Sequence, residues 1–234
     1  MSVAQERRDM SKVRFQNMEL RRQRILDAAR KIVVDKGIDA LTTRGLADAA
    51  NISAPTLYNL IGSKDDIIRA MVVRSVEEFK SRVKLDDYDS ALDMMEAIIE
   101  AATDPDVDGA DFAKAIIISG DRVAGTFAAK GDKIIQASKA GELSIEIAAR
   151  VCRKAIAQGI LRGNLCASEI GHQLFICYRG PRRDWAYGLI SLQEAKRRIK
   201  RGFYITMAAD ASPEYREILL VKIQALDTDK AVAA

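Results

Sequence analysis

The sequence predicts an all-α protein. Only four prolines and fourteen glycines interrupt its 234 residues, and long stretches contain neither of these breakers of regular structure. Apolar residues recur at the i, i+3, i+4 spacing of amphipathic helices, and Ser or Thr precedes several of these runs, where a side-chain oxygen can cap a helix N-terminus. A hydrophobic content of 48% is enough to bury a sizeable core, in one large domain or two modest ones.

Residues 1–17 mix charges without a clean apolar stripe. They read as a flexible basic arm or a frayed helix extension, with Arg7, Arg8, Lys12 and Arg14 within reach of a polyanion or simply solvated. From about Met18 to Lys36, Ile25, Ala28, Ala29, Ile32 and Val33 follow the pattern of an amphipathic helix, and Gly37 supplies its C-terminal cap.

Thr42 to Ser63, TTRGLADAANISAPTLYNLIGS, reads as two short helices joined by a tight turn. Thr42 starts the first, which presents Leu46, Ala49 and Ala50 for packing. Asn51, the residue after glycine that best tolerates positive φ, marks the bend. Ser53 starts the second helix and Pro55 occupies its first turn, where a missing N–H costs little. Leu57, Leu60 and Ile61 share its inner face, Tyr58, Asn59 and Pro55 point away, and Thr56 lies at the edge. Such a slim polar face suits a helix inserted in the major groove, whereas an ordinary helical hairpin would satisfy the spacing equally.

Ser63 with Asp66 forms an S-x-x-D arrangement at the start of a long helix. Ile68, Met71, Val72, Val76 and Phe79 carry its stripe to about Val83. Because this helix begins beside the reading head and ends in the second half of the chain, displacement of one end tilts the other. A helix over about 90–103 and another through Ala113 to Ser119 flank the acidic stretch TDPDVDGAD. Asp104, Asp106, Asp108 and Gly109 match positions of a calcium loop, but Ala115 stands where the bidentate carboxylate belongs, so the stretch reads as a solvated turn that caps the next helix. Further helices are expected at about 121–137, 142–158, 168–187, 191–209 and 213–226. Gly180-Pro181 is expected to kink or split the third of these. Leu192, Ala195, Ile199, Gly202, Phe203 and Thr206 line one side of the helix after Ser191, either as a self-association face or as an internal core face.

Composition excludes several classes. No apolar run approaches the roughly 18–20 residues of a membrane span, and the N-terminus lacks the apolar core of a signal peptide, so the expectation is a cytoplasmic protein. Cys152, Cys166 and Cys177 are spaced for neither a disulfide framework nor a metal pair and read as buried, reduced thiols. The lone His172 sits in the apolar run IGHQLFICY and reads as a core histidine. There is no Gly-rich phosphate loop, metal cluster or nucleophile beside a base, so neither an enzyme nor a cofactor is expected. Residues 1–64 carry twelve Lys/Arg against seven Asp/Glu, a net of +5, while the remainder nets −1. The basic surplus therefore lies beside the helix-turn-helix, as phosphate attraction requires.

Over residues 20–72, RRQRILDAARKIVVDKGIDALTTRGLADAANISAPTLYNLIGSKDDII and its flanks resemble the DNA-binding domain of the TetR/AcrR family of bacterial transcriptional regulators. The resemblance rests on the first helix, the glycine, the threonine-started second helix, S-x-x-TLY, and then SK followed by acidic residues. It departs at Asn51, where glycine is common, and at Leu60 and Ile61, where aromatics are common.

The resemblance implies a three-helix helix-turn-helix DNA-binding domain over 18–64 and a C-terminal helical ligand-binding and dimerisation domain over 65–234. It also implies a homodimer on a palindromic double-stranded operator, released by a small-molecule effector. By position, Thr42, Thr43 and Arg44 would hold phosphates, Ser53, Ala54, Pro55, Thr56, Tyr58 and Asn59 would face the groove, and Lys64 would contact the backbone. Met94, Met95, Phe112, Phe127, His172, Phe175 and Trp185 are the expected lining of a ligand pocket, with plain core packing as the alternative. A helical small-molecule binder or architectural DNA binder without a switch is the alternative function.

Overall fold

The computed structural model describes residues 3–104, 109–129 and 138–232. Among them are ten α-helices and no strand beyond one isolated bridge between Leu161 and Ala211. The helices are α1 (Val3–Lys36), α2 (Thr43–Ala49), α3 (Ala54–Leu60), α4 (Lys64–Val83), α5 (Ala91–Ala102), α6 (Ala110–Ala129), α7 (Ser138–Ala157), α8 (Ala167–Ala186), α9 (Leu192–Ala208) and α10 (Pro213–Val232). The all-α expectation holds.

Two large hydrophobic cores organise most of them, and a small third cluster gathers Trp185, Ala186 and Ala195. The first joins α1 to α4: Ile25, Ala29 and Val33 recur one turn apart on α1 and meet Leu46 of α2, Leu57 of α3 and Ile67, Ile68 and Met71 of α4. Phe112 and Ile116 of α6 complete this cluster. The second core lies among α5 and α7 to α10, around Met94, Ile99, Val151, Leu174, Ile199 and Met207.

Close approach among the last helices depends on two glycines. A Cβ on Gly171 of α8 would lie 2.7 Å from the backbone nitrogen of Ala149 on α7, and one on Gly202 of α9 would lie 2.8 Å from Cβ of Cys177 on α8. The loop between α7 and α8 is tied down by Asp210, which is buried at the end of α9. Its carboxylate accepts the N–H of Gly163 at 2.9 Å and that of Asn164 at 3.3 Å. Two backbone donors satisfy a charge that burial would otherwise penalise.

Several elements differ from the sequence expectations. α1 starts at Val3 instead of near Met18, because VAQERRDMSKVRFQNMEL is made mostly of helix formers and contains no glycine or proline. On α2 the buried partner of Leu46 is Ala47; Ala49 is exposed. The helices expected through Ala113 to Ser119 and from Asp121 onward are one helix, α6, running through Gly120. Pro181 does not split α8. In α8, Ile170, Gly171 and Leu174 before Pro181 and Trp185 and Ala186 after it are buried, and that packing outweighs the breaker.

The α9 face expected as either a self-association surface or an internal one is internal: Ala195, Ile199 and Phe203 are buried within the chain, and Gly202 abuts α8. Of the cysteines, only Cys152 is buried; Cys166 is exposed and Cys177 half-buried. Most of the acidic stretch considered as a calcium loop, residues 105–108, lies outside the described residues.

Gly171→Ala is expected to force α7 and α8 apart and to cost about 1–3 kcal/mol of stability, read by urea denaturation. A second expectation concerns Glu194, in the first turn of α9. Hydrogen bonds from Arg197, both 2.8 Å, against some burial and aided by Arg198 at 2.7 Å, hold its carboxyl at about 2, against the usual 4.5. Because the folded value is the lower one, the stabilisation is complete above the ordinary carboxylate range and fades as pH falls toward 2. The melting-temperature gap between the natural chain and Glu194→Gln should therefore shrink between about pH 6 and about pH 3.

Candidate nucleic-acid interface and helical-domain cavity

The segment from Thr42 to Ser63 is built by its caps. Thr42 adopts extended backbone and its hydroxyl accepts the N–H of Gly45 at 3.1 Å. At the bend, Asn51 takes φ 52°, and the N–H of Ile52 reaches back to the carbonyl of Ala47 at 3.0 Å, closing α2 with a left-handed residue. Ser53 then starts α3, its hydroxyl accepting the N–H of Thr56 at 3.3 Å, with Pro55 in the first turn. Leu57 is fully buried while Leu60 and Ile61 are partly so, which sets the rotation of α3.

That rotation turns Ala54, Pro55, Tyr58 and Asn59 outward, with Tyr58 66% exposed. Thr42, Thr43, Arg44 and Ser53 are exposed as well. Two of the expected contact residues carry internal bonds. The Thr56 hydroxyl lies 2.8 Å from that of Ser53 and the residue is half-buried. The Lys64 ammonium donates to the carbonyl of Ile38 at 3.4 Å, so it also fastens α4 to the turn after α1. At the start of α4, Ser63 and Asp66 form a full capping box: the Ser63 N–H and hydroxyl donate to Asp66 Oδ2 at 2.7 and 2.6 Å, and the Asp66 N–H donates to Ser63 Oγ at 3.3 Å. Asp66 also pairs with Arg69 one turn on.

A cavity of about 680 Å³ opens between α4, α5, α6, α7 and α8. Val72, Val76 and Phe79 form its α4 wall, Met95 and Ile98 its α5 wall, Phe112 and Ile116 its α6 wall, and Phe175 and Tyr178 line it from α8. Of the residues expected to line a pocket, Met95, Phe112, His172, Phe175 and Trp185 do so. Met94 is absent from the lining and buried in the second core, and the Phe127 side chain lies outside the described residues. His172 is exposed instead of core-packed, because its position on α8 faces away from Leu174 and Gly171.

The sequence reading missed the cavity's polar wall. Arg179 and Arg183 on α8 both pair with Asp121 of α6, at 2.9 and 3.1 Å, and Arg182 and Arg69 line the same space. The signal was present as RGPRRDW, three arginines within five residues of one helix. Among the described residues no group of three His, Cys, Asp or Glu could hold a metal ion, and no helix is long and apolar enough to cross a membrane.

Phe112 and Ile116 have two roles. They line the cavity, and they are buried in the core shared by α1 to α4. The Arg30 guanidinium of α1 also lies 4.7 Å from the centre of the Phe112 ring. One cluster of packed side chains thus runs from the cavity wall on α6, through α1 and α4, to Leu57 on α3.

Residues 25–71 match the sequence profile of the bacterial regulatory proteins of the tetR family. The chain is 31% identical over 83 residues to the HTH-type transcriptional repressor KstR of Rhodococcus jostii strain RHA1, a match covering 36% of this chain and 39% of that repressor. It is 41% identical over 54 residues to the class D tetracycline repressor protein of Escherichia coli, covering 23% and 25%. The matches thus span less than half the length of these curated relatives. A solved chain from a Rhodococcus species, assigned to the TetR family of transcriptional regulators, shares the fold over 80% of this chain and 98% of its own, with a TM-score of 0.64 and 16% identity.

Phe112→Ala is expected to cost about 3–5 kcal/mol, because it empties a buried site in the core of α1 to α4. Urea denaturation of the full chain checks this.

Proposed function

We infer that this chain, whose residues 25–71 are a TetR-family DNA-binding domain, is a transcriptional regulator that holds an operator as a homodimer and releases it when a small molecule occupies the cavity. The observation that carries the reading is the shared wall. A guest touching Phe112 and Ile116 presses on residues that also pack against α1 and α4, the helices that support α3.

Repression is the simplest sign of control. The guest-free chain binds duplex, and an effector that favours a different arrangement of α4 and α6 lowers affinity by its differential affinity for the two states. α4 transmits the change, since Val72, Val76 and Phe79 face the cavity while Ser63 and Lys64 anchor the other end beside α3. The Asp66–Arg69 pair lies between these ends.

Two copies of α3 would enter successive major grooves roughly 34 Å apart, matching a palindromic operator. Self-association is supported by the outward faces of the last helices, where Ile176, Ile205, Leu220 and Val221 are exposed on α8, α9 and α10. Within the interface, Arg44 and Thr43 are placed to meet phosphates, and Asn59 and Tyr58 to meet base edges. Thr56, bonded to Ser53, is better suited to holding the shape of α3 than to reading a base. This division refines the positional expectation, in which Thr56 faced the groove alongside Asn59.

The reading is tested by mobility shift on an inverted repeat found beside the chain's own gene. Asn59→Ala should reduce the preference for that repeat over random duplex by about 1–3 kcal/mol. Arg44→Gln should weaken binding to both and flatten the salt dependence by about one phosphate contact. Equal losses on both duplexes for Asn59→Ala would count against a base-reading role, and failure to retain any duplex at modest ionic strength would overturn the regulatory reading.

A further inference from the structure

The cavity's charge is as distinctive as its apolar volume. Five arginines line it, Arg69, Arg82, Arg179, Arg182 and Arg183, against three carboxylates, Asp104, Asp121 and Glu142. Asp121 alone serves both Arg179 and Arg183, and Asp66, outside the cavity, serves Arg69. Arg182 differs. Among the described residues no carboxylate lies within ion-pair distance of it; its polar partner is the Tyr178 hydroxyl, its guanidinium lies 5.3 Å from the centre of that ring, and its Nε is buried without a hydrogen-bond partner.

A half-buried guanidinium with an unbonded Nε, on the polar wall of a largely apolar cavity, asks for an anion. Carboxylate or phosphate oxygens accept from guanidinium N–H groups with matched geometry, and the low-dielectric surroundings strengthen the pair. A neutral apolar guest would fill the space, displace water from around that half-buried guanidinium and offer it no acceptor in return. On α4, α5 and α6, Val72, Val76, Phe79, Ile98 and Ile116 offer hydrocarbon to the cavity.

We propose that the cavity accepts an amphipathic organic anion, with its acidic head on Arg182 and an aliphatic body along the α4, α5 and α6 walls. The proposal rests on reading the cavity as the effector site. It adds the chemical class of the effector. Free carboxylic acids and phosphate monoesters share this chemistry.

Trp185 supplies the readout, since it is the chain's single tryptophan and lines the cavity. Its fluorescence in the full chain is titrated with decanoate, decyl phosphate and decanol, each below its micelle concentration. At least one anion should bind about tenfold or more tighter than decanol, as expected for a hydrogen bond to a charged group; whichever anion wins identifies the head group. Arg182→Gln should abolish that preference while leaving decanol binding in place, and Arg182→Lys should keep part of it. Decanol binding as tightly as both anions, no saturable change with any of the three, or a preference untouched in Arg182→Gln would each overturn the proposal.

A parallel operator mobility shift separates this inference from the regulatory reading. Selective anion binding that leaves the operator complex intact removes the switch and keeps the ligand class. Release by decanol alone keeps the switch and removes the ligand class.

Discussion

The structure depends on the anchoring of a helix too short to be stable alone. α3 has seven residues, well below the length at which an isolated helix persists in water. It is held by Leu57, inserted into the core of α1, α2 and α4, and by the Ser53 cap. The left-handed turn at Asn51 then fixes the approach of the chain. Those constraints decide which side chains face solvent. With Leu57 pinned, Tyr58 and Asn59 have only the outside available to them, so the face that α3 presents to solvent follows from burial one residue earlier.

The same packing joins the cavity to the core of α1 to α4. α6 contributes Phe112 and Ile116 to the core that supports α3 and to the wall of a 680 Å³ cavity. Close-packed side chains pass displacement to their neighbours because there is little free volume to absorb it. α4 adds a second route, with its capped end beside α3 and its middle turns along the cavity. Arg30 over the Phe112 ring adds a polar contact to an otherwise apolar junction.

Local chemistry made the N-terminal half legible in the sequence. Thr42, Ser53 and Ser63 each cap the helix that their position announced, and Asn51 adopts the positive φ that the bend required. Gly37 likewise ends α1 with φ 80°. What the sequence concealed was set by distant contacts. Fusion of two expected helices into α6 and the continuity of α8 through Pro181 depend on which faces are buried, and no local signal reports that. His172 looked like core from its apolar neighbours, but those neighbours occupy other faces of the same helix. The arginine wall was visible as RGPRRDW, yet its meaning required Asp121, about sixty positions away, to arrive beside two of the three.

The three thiols end up in such different surroundings that the chain carries its own attachment point for a spectroscopic label. Cys152 is buried and its thiol is pushed up to about 12 by desolvation, which keeps it protonated and inert. Cys166 stands exposed just before α8, with its thiol drawn below the ordinary value by the Ser168 hydroxyl and nearby backbone N–H groups. Cys177, half-buried against Gly202 and Thr206, lies between these extremes. A maleimide nitroxide added briefly would settle first at the entrance to α8. In an assembly of two copies, that would give one symmetric pair of spins, whose separation reports the arrangement of the copies without any engineered residue.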